Sequence, residues 1–152
     1  EDRIKMQCLT ESLGLSWTSD IAEANKKPQV MFTSWIKEVD CVNAGMDIIA
    51  STSLNEGTPV SLIEAQASNK PIVSSNVGGI ENIVLPNETA LLTKNGNENE
   101  FTDNLLRLVT DKELREKLSL NGWEYVKSKF HYTRLIDDMT KIYFKLLEKN
   151  IK

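Results

Sequence analysis

Two glutamates eight positions apart, Glu56 and Glu64, frame the segment Glu56-Gly57-Thr58-Pro59-Val60-Ser61-Leu62-Ile63-Glu64. An ionised carboxylate only accepts hydrogen bonds, so each is a natural partner for vicinal hydroxyls. Between them, Thr58 is expected to cap a helix whose first residue is Pro59, where the missing N–H costs nothing. The amino end of such a helix presents unpaired N–H groups and the positive end of a dipole, which suits a diphosphate. Gly57 lets the backbone come close to a ligand. Two glutamates at this spacing are nevertheless common, and spacing alone favours a solvated loop residue and a helix-surface charge. A second stretch, Ser75-Asn76-Val77-Gly78-Gly79-Ile80, again has glycines between an apolar run and a helical segment. Its paired glycines either let the chain pass close to a sugar or phosphate or, the commoner case, make a turn.

The elements that must position these loops follow from the apolar pattern. Short apolar runs at 30–32, 47–50, 71–74 and 90–92 read as strands, and segments 35–44, 59–68 and 80–84 read as helices between them. Short strands joined by helices imply a parallel sheet with right-handed crossovers, hence an α/β fold. In open parallel sheets the ligand crevice lies outside the carboxyl ends of the strands, which is where both loops fall. Ile4, Leu9 and Leu13 mark an opening helix with Gly14 as its stop signal. A sheet that opens on such a crossover helix is expected to lack its first strands. From Glu98 onward no strand signal remains. Thr110 and Glu113 have capping-box spacing ahead of Leu114, Leu118 and Leu120. The last segment carries Tyr132, Leu135, Ile136, Met139, Ile142, Tyr143, Leu146 and Leu147, a stripe that predicts an amphipathic helix packed on one face.

Length and composition bound the rest. The 152 residues fit a single domain spanning 1–152. A net charge of −4 gives no reason to expect nucleic acid or an anionic membrane as main partner. Lys127, Lys129, Lys141, Lys145, Lys149 and Lys152 alternate with apolar residues and read as solvated helix faces. Cys8 and Cys41 have no metal-type spacing and are expected to be free, partly buried thiols in a reducing compartment. No apolar stretch approaches the roughly 18–20 residues that span a bilayer. A cytoplasmic location follows as the default, peripheral at most to the inner face of a membrane.

Taken together, Glu56-Gly-Thr-Pro59 with Glu64-Ala65, then Asn69-Lys-Pro71-Ile-Val and Val77-Gly-Gly-Ile80, resemble the family 4 (group 1) retaining glycosyltransferases with their Glu-x(7)-Glu signature. Phe32-Thr-Ser-Trp35 and the segment from Asp111 to Phe130 agree in order and distance, so the resemblance covers nearly the whole chain. It implies the C-terminal, donor-binding half of a GT-B fold: a Rossmann-like parallel sheet flanked by helices, with extra C-terminal helices. By matching position, Glu56 would contact the donor sugar and stabilise developing oxocarbenium charge, as the catalytic carboxylate. Glu64 would bind the ribose hydroxyls. Gly57, Thr58, Pro59 and Val60 would approach the sugar or diphosphate, with Gly78 and Gly79 as further donor contacts. The implied partners are a nucleotide-sugar donor, a glycan or lipid-linked acceptor and an N-terminal acceptor domain. No metal or other cofactor is implied. The family's basic residues for the diphosphate would precede residue 1, so the chain by itself is expected to be inactive. Its last helix is expected to cross back to the other domain, leaving apolar surface exposed.

Two other functions share this architecture. A nucleotide-sugar 2-epimerase needs acid–base groups, and the only histidine, His131, stands before the last helix and reads as a surface residue. A non-catalytic nucleotide-binding or interaction module would have let its pocket decay, against which the intact Glu56 and Glu64 argue.

Overall fold

The computed structural model describes residues 2–148 in full and the helical backbone of 149–150. The chain divides into two compact units, Glu1–Val39 and Asp40–Lys152.

The first unit opens on α1 (Asp2–Ser12). Gly14 stops it with a φ of 70°, while Leu15 N–H bonds the Thr10 carbonyl at 3.1 Å, the reach-back that a left-handed residue permits. Two short strands follow, β1 (Trp17–Thr18) and β2 (Val30–Met31), paired in parallel. The 3-10 helix Ile21–Lys26 lies between them, capped by the Asp20 side chain. Trp17 meets Phe32 edge-on at 5.7 Å. Neither β1 nor this helix was expected, since a two-residue strand carries no readable period. The helix expected over 35–44 begins only at Val39: α2 is Val39–Gly45. Ser34 has a φ of 60°, which breaks the chain direction, and Trp35 is left 85% exposed.

The second unit holds the sheet. Strands β3 (Ile49–Ser51), β4 (Ile72–Asn76) and β5 (Ala90–Lys94) lie in that order, all parallel. Ile49 sits opposite Ile72, and Ile72 opposite Ala90. Helix α3 (Val60–Ala67) connects β3 to β4. The chain closes with α4 (Glu98–Thr110), α5 (Lys112–Phe130) and α6 (Tyr132–Asn150). Alternate residues of β4 feed two cores: Ile72 packs with Leu62, Ala65, Ile80 and Val84, and Val73 with Leu91, Leu108 and Leu118. Both faces of the central strand are buried, which is why its sequence is a plain apolar run and not an alternating one.

Helix ends show how local chemistry sets the layout. Asn69, with a φ of 55°, closes α3: its N–H bonds the Gln66 carbonyl and Lys70 N–H bonds that of Ala65, both at 3.0 Å. After glycine, asparagine is the residue that best tolerates such a left-handed turn. Two expectations shift in register. Pro59 is the N-cap of α3 and Thr58 lies outside it, because proline's extended φ/ψ suits the position before the first helical residue. The cap of α5 is Asp111, whose carboxylate accepts from Leu114 N–H at 2.9 Å. Thr110 instead ends α4, its hydroxyl donating back to the Leu106 carbonyl. The helix expected over 80–84 shortens to a 3-10 turn at Ile80–Asn82.

Three surface expectations are corrected. Cys8 and Cys41 are both exposed. Lys141 and Lys145 are solvated, but Lys129 is half-buried and donates to the Asn82 carbonyl at 2.7 Å; Lys149's side chain and Lys152 lie outside the described residues. The stripe on α6 does not enter the core: Leu135, Ile136, Ile142, Tyr143, Leu146 and Leu147 are each more than half exposed. Exposed apolar surface on this helix is the other of the two outcomes expected for it. Among the described residues no helix is long and apolar enough to cross a membrane.

Candidate functional site

The carboxyl ends of β3, β4 and β5 form one crest, and the first predicted loop rises from it. β3 ends at Ser51, and residues 52–59 climb to the amino end of α3. Within that loop the Ser53 hydroxyl donates to the Glu56 carboxylate (Oγ–Oε1 2.5 Å), fixing a half-buried side chain that would otherwise sample several rotamers. A Cβ added at Gly57 would meet no atom within 4 Å, so the residue beside Glu56 borders open space. Thr58 and Val60 are exposed and Pro59 is buried.

No side chain caps α3. Leu62 N–H bonds the Pro59 carbonyl at 3.1 Å, and the Val60 and Ser61 N–H groups ahead of it have no carbonyl partner inside the helix and remain available to an acceptor from outside. Glu64 is exposed, five residues into the helix. Pro59, Leu62, Ala65 and Gln66 are the buried positions of this segment, and they seat it on the core.

The second loop supports the first. A Cβ at Gly78 would lie 1.8 Å from the Glu56 carbonyl oxygen, and one at Gly79 would lie 1.9 Å from that of Gly57. Gly79 N–H donates to the Glu56 carbonyl at 3.0 Å. Gly78 has a φ of 54°, in the left-handed region. The two glycines therefore allow backbone to pack on backbone, and the Gly79 N–H is already taken by protein. Asn76 donates to Glu81 at 2.5 Å, closing this loop on itself. The structure thus brings Glu56, Gly57, Gly78 and Gly79 into direct association and places Glu64 on the helix that leaves the first loop.

Further polar residues at the crest escaped the sequence reading. Ser53 was one, although a serine three residues before a loop carboxylate is a readable hydrogen-bonding spacing. Lys94 and Asn95 are others: with Ser75 of the second predicted loop they line a cavity of about 410 Å³ past the ends of β4 and β5. The carboxyl-end rule that marked the first two loops applies equally to the loop after β5. Among the described residues no group of three or more His, Cys, Asp or Glu side chains could hold a metal ion. His131 is exposed at the end of α5, as expected.

The sequence profile of the glycosyl transferases group 1 matches residues 17–124. The chain belongs to that family. It is 33% identical over 94 residues to an uncharacterised glycosyltransferase of Methanocaldococcus jannaschii, a match that covers 62% of this chain and 26% of that protein. Sucrose-phosphate synthase from Thermosynechococcus elongatus superposes with a TM-score of 0.77 at 24% identity, over 97% of this chain and 35% of its own. The Anabaena protein HepE, solved in complex with UDP, gives 0.73 at 19% identity over 82% of this chain and 35% of its own. The chain thus spans about a quarter to a third of the length of the proteins it matches. The expected fold holds: parallel strands flanked by helices, with helices closing the chain, as in GT-B transferases.

Proposed function

We propose that this chain is the donor-binding half of a retaining glycosyltransferase that moves a sugar from a nucleoside diphosphate to a glycan or lipid-linked hydroxyl. The observation that carries the reading is the pairing of a Ser53-oriented Glu56 with the uncapped amino end of α3, across the open space beside Gly57. In this reading the diphosphate lies against the backbone N–H groups of Gly57, Thr58 and Val60 at the amino end of α3, where the helix dipole opposes its charge. Glu64, exposed on α3, accepts from the ribose hydroxyls. Glu56 accepts from the donor sugar and stabilises positive charge as the anomeric carbon–oxygen bond breaks. A carboxylate already held by a serine pays less reorganisation when that charge appears. That a protein of the same fold, from Anabaena, was solved with UDP supports a nucleotide as ligand. Family membership supports the transfer.

An amide-shift NMR titration with UDP, GDP and ADP tests the donor site directly. One nucleotide is expected to shift residues 56–64 with a Kd on the order of millimolar, about −4 kcal/mol. Glu64→Ala should abolish those shifts. Shifts that fall elsewhere, or that survive Glu64→Ala, would refute the assignment.

A further inference from the structure

The connection from β4 to β5, residues 77–89, contains no α-helix, only the 3-10 turn Ile80–Asn82. So short a turn satisfies few of its own carbonyls, and the rest need partners from elsewhere. Three of them find side-chain donors on neighbouring helices. The Ile83 carbonyl accepts from the buried Gln66 amide of α3 at 2.9 Å. The other two accept from α5. Asn121 donates to the Glu88 carbonyl at 3.0 Å, while Tyr125 and Lys129 both donate to that of Asn82, at 3.4 and 2.7 Å. Asn121, Tyr125 and Lys129 stand four residues apart, so they form a polar row along one face of α5.

Lys129 differs from the rest of the row. Its ammonium also donates to the Tyr125 hydroxyl at 2.6 Å, and it lies 5.0 and 5.6 Å from the ring centres of Tyr125 and Phe130. Among the described residues it forms no ion pair with a carboxylate. A half-buried cation with these partners directs its charge at the Asn82 carbonyl, in the stronger, charge-assisted kind of hydrogen bond. The two rings beside it narrow the positions its head can take.

The bonds continue from Asn82 to the carboxylate loop. Asn82 N–H donates to the Gly79 carbonyl at 3.1 Å, and Gly79 N–H to the Glu56 carbonyl at 3.0 Å. The other end of the row has no such continuation: Asn121 holds Glu88, whose N–H closes a local turn on the Leu85 carbonyl. We propose that Lys129 is a positioning residue for Glu56. Its bond to Asn82 fixes the 79–82 turn, and that turn fixes the backbone from which Glu56 projects. The inference rests on the donor reading of Glu56 and adds to it a residue on another helix that acts through the loop.

The Gly57 amide belongs to the same peptide group as the Glu56 carbonyl, so its nitrogen shift reports the bond which that carbonyl accepts. Lys129→Met keeps most of the stem and removes the donor. In the free chain it should move the Gly57 and Gly79 amide signals and speed hydrogen exchange at Gly79 about tenfold. Lys129→Arg, which still donates to a carbonyl, should restore most of that protection. Asn121→Ala removes a side-chain bond from the same row and should leave both amides in place. Titrations supply the functional readout: Lys129→Met should weaken binding of a nucleoside-diphosphate hexose about threefold relative to the bare nucleotide, and Lys129→Arg should recover it. Unmoved Gly57 and Gly79 amides in Lys129→Met would overturn the proposal. Equal movement in Asn121→Ala would do so too, since it would mark a general loosening of α5. So would amides that move while the affinity ratio holds. A wild-type chain that binds no nucleotide would sink the donor reading alone, and the two amides would still decide whether Lys129 positions Glu56.

Discussion

Gly57 and the Gly78–Gly79 pair stand on adjoining loops of the same crest, yet the missing side chain serves opposite ends in the two. At Gly57 the space that a Cβ would fill is open. At Gly78 and Gly79 it is filled by the carbonyls of Glu56 and Gly57. One glycine leaves room for something from outside, and the other two leave room for the chain itself. The difference teaches that a glycine-rich loop at a strand end is not by itself a ligand contact. Here the outer loop can face a ligand because the inner loop holds its backbone from behind.

The strongest test of that contrast is an added methyl. Gly79→Ala sets a Cβ 1.9 Å from a backbone oxygen that no rotamer change can move. It should destabilise the chain by about 3 kcal/mol, read as a lower urea midpoint. Gly78→Ala should do at least as much, since its φ of 54° adds left-handed strain of about 1 kcal/mol. A midpoint unchanged in both would mean that the two loops are not locked together.

Gly57→Ala should behave in the opposite way. With nothing within 4 Å of the new methyl, stability should change by less than about 0.5 kcal/mol. Nucleotide-sugar affinity should fall about tenfold, because the methyl projects into the space assigned to the donor. Calorimetry and a urea melt on the same variant separate the two effects. Destabilisation equal to that of Gly79→Ala would erase the contrast.

Much of this arrangement was legible because each strand of the sheet is an apolar run bounded by turn residues. Ile72 and Val73 serve different cores, and a strand buried on both faces has no polar alternation to confuse its reading. The Glu56–Glu64 spacing and the positive φ of Asn69 were likewise local facts. What escaped was non-local. No sequence signal tells that Gly79 N–H donates to Glu56, because that bond depends on how two loops meet. The stripe of α6 shows the same limit: periodicity reports a face that is apolar, not what covers it. Leu118 in α5 is fully buried, whereas Leu135 and Ile142 in α6, on the clearer stripe, are exposed. Thr110, expected as the cap of α5, and Asp111, which fills that place, are neighbours, and both have the oxygen for the task.

Between the two glycine cases lies Ser53, which belongs to the outer loop but acts through Glu56. Ser53→Ala removes one hydrogen bond to a half-buried carboxylate and should lower stability by about 1 kcal/mol or less. Its sharper signature is in binding. Affinity for the bare nucleotide should hold, while the extra affinity contributed by the sugar should fall, and Ser53→Thr should restore it. Equal losses for nucleotide and nucleotide-sugar would show that Ser53 merely shapes the loop.

The smallest effect is expected where left-handed backbone is met by a residue other than glycine. Asn69 closes α3 at a φ of 55°, with its own N–H and that of Lys70 both bonded back into the helix. Glycine there removes the Cβ strain but adds freedom to the unfolded chain, and asparagine already tolerates this region. The two terms oppose each other, so Asn69→Gly should move stability by only a few tenths of a kcal/mol, on the order of 0.3. Asn69→Val, by contrast, keeps the strain and adds a branch at Cβ, and should lower the urea midpoint clearly. A valine as well tolerated as glycine would show that the turn bends elsewhere. The entry of β4 into the sheet, two residues after Lys70, would then not depend on the left-handed turn.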